Sequence, residues 1–99
     1  MPLHRGRITG YDARRMTFDF TMQTSESKTI DCSISSLAMD RLSGRSGFMP
    51  REREAQFAEL RDKIEEIASE NFDRENTSEV RIFLKHVEHP IRNHRSNKR

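Results

Sequence analysis

Asp19 and Asp31 each lie within a stretch of alternating polarity, and two carboxylates held close together are the least that acid–base chemistry or cation binding requires. Thr17, Thr21, Thr29 and Ser33 surround them, which describes an open, hydrated surface that would neither exclude water nor raise a carboxyl pKa. His86-x-x-His89, with His94 further on, has a spacing a divalent metal can use. A strand end running into a tail holds such ligands in no fixed geometry, so incidental histidines and no metal site are expected. Cys32 is the one cysteine, which excludes an intrachain disulfide and a multi-cysteine zinc site. It alternates with Ile30 and Ile34, so a buried and inert thiol is expected, since reactivity needs exposure and a depressed pKa.

The cations offer two further arrangements. Arg41, Arg45, Arg51 and Arg53 cluster around the Gly44 to Gly47 connector and the start of a helix, where free backbone N–H groups and the helix dipole can attract an anion. Glu52 and Glu54 already occupy that end, so the reading favours a solvated connector over an anion site. Arg61 and Glu65, one turn apart, can rim a pocket between helix and sheet, but a structural ion pair is the expectation. The chain contains no G-x-G-x-x-G, P-loop, H-E-x-x-H or G-x-S-x-G pattern. No catalytic residue and no cofactor is therefore assigned.

The element that must position all of these is the stretch from Pro50 to Phe72. Phe57, Leu60, Ile64, Ile67, Ala68 and Phe72 recur at steps of three and four, which predicts an amphipathic helix, with Glu59, Asp62, Glu66 and Ser69 turned to water. Pro50 suits a first helical position, and Glu52 and Glu54 oppose the positive end of the dipole. Before it, Met16, Phe18, Phe20 and Met22 alternate with polar residues over 15–22, and Ile30, Cys32 and Ile34 do so after a polar turn, predicting a β-hairpin. Keeping both apolar sets on one face restricts the register to even sums, for example Phe20 opposite Ile30 and Phe18 opposite Cys32. That register opposes Asp19 to Asp31 and calls for a nearby cation, a bound ion or another even register. Ser35 or Ser36 can cap a short helix, Leu37 to Leu42, with Leu37, Ala38 and Leu42 toward the core. Val80, Ile82 and Leu84 predict a third strand from Glu79 to Val87, leaving Phe83 on the outer face.

These elements give an α+β fold in the order ββααβ. A three-stranded antiparallel sheet would carry one long and one short helix on one face, with the last strand beside the first and Arg81 or Lys85 near Asp19. Residues 15–87 form the expected single domain, 1–14 a loose basic lead-in with a short strand near Arg7 to Thr9, and 88–99 a disordered basic tail. The 99 residues, with 32% hydrophobic and 34% charged, allow only a small core. The net charge of +2 is segregated: four arginines against one aspartate in 1–15, nine basic against fourteen acidic residues in 16–84, and five basic against one acidic in 85–99. Any attraction to nucleic acid would come from the ends, above all Arg92, Arg95, Lys98 and Arg99. Nothing approaches the length of an apolar membrane span or a signal peptide, so a cytoplasmic protein with no membrane contact is expected.

The run Cys32-x-Ile34-Ser35-x-Leu37-Ala38, followed by Phe57-x-x-x-Arg61-x-x-Ile64-Glu65-x-x-Ala68, resembles a family of small, uncharacterised bacterial proteins catalogued as a domain of unknown function, DUF1488. The resemblance spans Met16 to Val87 and implies a compact bacterial α+β domain; the basic stretch after His89 looks like an addition to the family's pattern. It transfers no catalytic residue, substrate or cofactor. Three functions follow from the residues: a non-enzymatic binding or regulatory module acting through protein–protein contact or self-association, a nucleic-acid-associated protein using its basic termini, and a small enzyme. The first is the expectation, because Phe83 among small polar residues suits a protein partner and no pattern supports a reaction.

Overall fold

The computed structural model describes residues 3–75 and 77–87. Its elements are β1 (His4–Asp12), β2 (Thr17–Gln23), β3 (Thr29–Ser35), α1 (Ser36–Ser43), a 3-10 turn (Pro50–Glu52), α2 (Arg53–Glu75) and β4 (Glu79–Ile82). The α+β class holds, but the sheet is not three-stranded and antiparallel: it has four strands in the order β1-β2-β3-β4, with β3 and β4 parallel. The expected lead-in is a nine-residue edge strand. Its pairing with β2 shifts register between Arg5 and Ile8 and again between Ile8 and Gly10, and such bulges erase the period of two that would have marked it. Because β1 occupies the edge of β2, the last strand cannot lie there. It adds to β3 instead, opposing Ile34 to Ile82, and the helices supply the crossover that a parallel pair requires. Arg81 accordingly lies opposite Ser33 and bonds Glu79, away from the position beside Asp19 expected for it.

The hairpin forms at another even sum. Phe18 faces Ile34, Phe20 faces Cys32 and Met22 faces Ile30, a shift of two residues that leaves every side chain on its expected face. Asp19 now opposes Ser33 and Asp31 opposes Thr21, so the two carboxylates are no longer paired across the strands. Asp19 accepts a hydrogen bond from Thr17 Oγ1 at 2.9 Å and has Arg15 at 4.0 Å.

The inner face of the sheet meets α2. Phe57 stacks on Phe18 with ring centres 4.4 Å apart and tilts against Phe20 at 5.0 Å, while Ile64, Ile67, Val80 and Ile82 complete the core. Leu60, Phe72 and Leu84 are packed against it but partly exposed. One residue expected in water is instead used: Ser69 Oγ accepts the Leu3 N–H at 3.1 Å. Arg5 donates to Glu65 at 2.9 and 3.0 Å and to Asp62 at 2.8 Å, and Arg61 Nε donates to the same Glu65 at 2.9 Å. The Arg61–Glu65 pair is therefore structural as expected, and it helps fasten β1 to α2.

Two segments depart from expectation for local reasons. In α1, Ser35 is the cap, its Oγ accepting the Ala38 N–H at 3.1 Å. Ser36 turns inward to bond the Met16 carbonyl, which puts Ala38 and Met39 in the core and leaves Leu37 62% exposed rather than buried. At the other end of the chain, β4 stops at Ile82 and residues 84–87 are helical. His86 Nδ1 accepts the Phe83 N–H at 2.7 Å, one half of a capping box, while the His86 N–H bonds the Phe83 carbonyl at 2.9 Å and closes the turn. Phe83 thus sits beyond the strand, not on the outer sheet face. The predicted tail, 88–99, lies outside the described residues. No described helix is long and apolar enough to cross a membrane.

Candidate functional site

One end of the sheet gathers most of the unusual chemistry. There β1 passes through a turn into β2, β3 passes directly into α1, and α2 begins. Beneath this end lies Arg53, whose side chain is only 7% exposed. A single nitrogen, Nη1, donates to Asp40 Oδ1 at 2.7 Å and to Gln56 Oε1 at 2.6 Å. Gln56 Nε2 returns to Asp40 Oδ1 at 3.1 Å and reaches Ser43 Oγ at 3.2 Å, closing a polar triangle between α1 and α2. The guanidinium lies over two rings, 5.6 Å from the centre of Tyr11 on β1 and 5.3 Å from Phe48 in the connector. Arg53 thereby joins β1, both helices and the connector.

The same end is tied from above. Ser36 Oγ donates to the Met16 carbonyl at 2.8 Å, which uses its one proton, so the 3.2 Å contact with Tyr11 is donated by the tyrosine hydroxyl. Met16 takes a positive φ of 58°, and the Asp12 carboxylate accepts the backbone N–H groups of Arg14 and Arg15 to shape the turn. On this base the surface is apolar and basic. Met16 is 55% exposed, Leu37 62% and Phe83 45%. Leu37 and Leu84 line an open groove of about 520 Å³ together with Asp40, Arg41 and Arg45. Arg45 also borders a second hollow of about 380 Å³ beside Phe48, Gln56 and Glu59. Its guanidinium stacks 5.3 Å from the Phe48 ring and meets Glu59 at 3.5 Å.

The family described as "Protein of unknown function (DUF1488)" matches residues 5–84. The chain belongs to the DUF1488 family. A solved structure similar to this DUF1488 chain is that of a protein of unknown function from the same family, from Shewanella loihica PV-4. It shares 20% identity and a TM-score of 0.65, with 80% of this chain and 92% of that chain covered, a likeness of fold. No curated protein matches the chain.

Within this DUF1488 fold the four arginines of the suspected anion site are separated by burial. Arg53 is inside, held by Asp40 and Gln56; Arg45 is exposed and engages Glu59; Arg41 lines the groove; Arg51 lies exposed on the 3-10 turn. Glu52 accepts the Met49 N–H at 2.8 Å, so a carboxylate already serves that helix start. Arg92, Arg95, Lys98 and Arg99, and with them His89 and His94, lie outside the described residues. Among the described residues no three metal-binding side chains converge. Cys32 is buried, with its thiol toward the Ile30 carbonyl at 3.6 Å, and burial pushes its pKa up to about 12.

Tyr11, Asp40, Phe48 and Gln56 escaped the sequence reading. A signal for them was present: Arg53 stands four residues before Phe57, so it continues the inward stripe of α2, and a charge on a core stripe must find a buried partner.

Proposed function

We propose that this domain is a non-enzymatic binding module acting through protein–protein contact, made by the end of the sheet that carries Met16, Leu37, Phe83 and Leu84. The observation behind the reading is that large apolar side chains gather there while the outer sheet face is polar. Single exposed apolar residues are ordinary, whereas a cluster on a well-braced base is how interaction sites present themselves. Catalysis would ask for a nucleophile or an acid–base pair in an enclosed cleft. Here the thiol is buried and its ionisation suppressed, and Asp19 and Asp31 belong to different cross-strand pairs on an open face. Binding of phosphates by the basic ends is weakened as an alternative because Arg5 is committed to Glu65 and Asp62.

Copurification from the native cell, with and without nuclease, tests the reading with three proteins: the full chain, its Leu37→Glu variant and a chain ending at Val87. Leu37 is exposed, so its replacement should leave the melting temperature unchanged. A protein recovered by the full chain after nuclease, kept by the shortened chain and lost by Leu37→Glu is expected. Recovery that vanishes with nuclease or with the tail, or that survives Leu37→Glu, would overturn the proposal.

A further inference from the structure

We infer that β1 pairs with the β1 of a second copy of this chain, antiparallel and with Ile8 opposite Ile8, to make one continuous sheet with four strands from each copy. The inference goes beyond the binding module proposed above, since it concerns the long edge of the sheet and takes the chain itself as the partner. β1 runs nine residues along that edge and, among the described residues, pairs only with β2. An edge of this kind presents a row of backbone N–H and C=O groups that another strand can complete. The Gly6 carbonyl also meets Arg61 at 3.4 Å and keeps a second lone pair. The opposite edge, β4, has only four residues and gives way to the capped turn that begins at Phe83.

The symmetry of the two bulges selects the occupant. Arg5, Ile8 and Tyr11 stand opposite Met22, Phe20 and Phe18, so the helix-facing residues of β1 recur at steps of three against steps of two on β2. One extra residue therefore lies on each side of Ile8. Bulges ordinarily blunt an edge, because a regular strand laid along it loses ladder bonds at each extra residue. A second copy running the other way meets Arg5, Ile8 and Tyr11 with Tyr11, Ile8 and Arg5. Its extra residues fall opposite those of the first copy, and both faces stay matched. The same register suits the side chains: Arg7 faces Thr9, Gly6 faces Gly10 and His4 faces Asp12, so no like charges are opposed. Centring the pair on Arg7 would oppose two arginines, and centring it on Gly6 would oppose Arg5 to Arg7. Centring it on Thr9 would put the extra residues out of step. At the axis Ile8, 36% exposed and on the face shared with Phe20, is covered by its counterpart. Asp62 and Glu65, the carboxylates of α2 that reach this edge, are each held by Arg5, at 2.8 and 2.9 Å, which lowers the repulsion between two approaching copies.

The test joins sedimentation velocity of the full chain over a wide concentration series to cysteine cross-linking. Nine residues a side make a small interface, so the dimer is weak and grows in as concentration rises. Thr9 is exposed, so its replacement leaves the fold intact, which the melting temperature checks. Thr9→Lys sets a like charge against Arg7 of the second copy, twice per dimer by symmetry, and should weaken dimerisation by about two- to thirtyfold. Thr9→Glu sets an opposite charge there and should strengthen it by a similar factor. Under mild oxidation, either Ile8→Cys should join to itself or Arg7→Cys should join to Thr9→Cys when the two are mixed, since directly opposed residues come within disulfide reach. The native Cys32 is buried and stays silent in this assay. A chain that sediments as a monomer at every concentration, or a dimer indifferent to both changes at Thr9, would overturn the proposal. So would cross-linking of Arg7→Cys or Thr9→Cys with itself alone, which would mean another register, or the absence of every cross-link.

Discussion

Replacing Arg53 with methionine should be among the most damaging single changes in the domain. The substitution removes the 2.7 Å ion pair to Asp40 and the 2.6 Å bond to Gln56, and it strips the guanidinium from between Tyr11 and Phe48. Asp40, whose side chain is 17% exposed, is left with the Gln56 amide at 3.1 Å as its side-chain partner among the described residues. Breaking a buried pair by removing one partner costs about 3–5 kcal/mol, because the surviving charge is uncompensated. Even about 3 kcal/mol would lower Tm by about 12–24 °C in a domain of this size, and it is a large share of a total stability of about 5–15 kcal/mol. The pair itself is not expected to be strongly stabilising. Arg53 Nε is buried without a hydrogen-bond partner among the described residues, and an orphaned donor costs about 1–3 kcal/mol. The double variant Arg53→Met with Asp40→Leu should therefore recover most of the loss. Urea unfolding of the wild type, both single variants and the double variant closes the cycle. A cost below about 1 kcal/mol for Arg53→Met, or a double variant as unstable as the single, would refute the claim that an uncompensated Asp40 charge is what the cell of interactions protects against.

Three shorter predictions concern other parts of the fold. Gly6→Ala should destabilise by about 1–3 kcal/mol by urea titration, because a Cβ there would lie 2.5 Å from the Thr21 carbonyl oxygen and force β1 away from β2. Cys32, with its pKa pushed up to about 12 by burial and the nearby Asp31, should resist iodoacetamide at pH 8 and react only as the chain unfolds, so that its alkylation rate tracks stability across denaturant concentrations. His86 is held below its ordinary value of 6.5, chiefly by burial and then by Lys85, and its Nδ1 accepts a backbone N–H only when neutral. A depressed folded-state pKa gives stability that is present above pH 6.5 and is lost as pH falls through the folded value. Calorimetric melts of His86→Gln should accordingly show a smaller fall in Tm between neutral and mildly acidic pH than the wild type.

What the sequence made legible follows from which interactions are local. The stripe from Phe57 to Ala68, the alternation in β2 and β3 and the serine cap of α1 are written in adjacent residues, and all of them form. The edge strand β1 is written elsewhere: its bulged stretch carries few apolar residues, and it is held by Arg5 reaching Glu65 and Asp62 some sixty positions away. The reading held only a short strand near Arg7 to Thr9 and left it unpaired, which also misplaced the last strand, since only a filled β2 edge sends β4 to β3. The hairpin register needed the loop geometry, where Thr24 bonds Lys28 in both backbone and side chain and Ser27 adopts a φ of 68°. The four arginines grouped by the reading separate in space: Arg53 turns inward, as its four-residue step from Phe57 signals, while Arg45 and Arg51, on the connector and the 3-10 turn outside that stripe, turn out.

The site is a consequence of helix length. A strand of seven residues such as β3 spans about 23 Å, whereas α2, with 23 residues, is about 34 Å long. The apolar stretch from Phe57 to Ala68 covers about 18 Å, which the sheet can bury. Beyond it in both directions the buried positions of the helix are polar: Arg53 and Gln56 at the start, Asn71 near the end. At the start, α1 and the connector fill the space, and Arg53 converts that overhang into a fixed platform by reaching Asp40, Tyr11 and Phe48 at once. Leu37 lies on top of the platform and Arg53 underneath it. Substitutions at Leu37 should therefore change binding with stability intact, while substitutions at Arg53 should lose both together, and the separation of those two effects is what distinguishes a contact residue from the support beneath it.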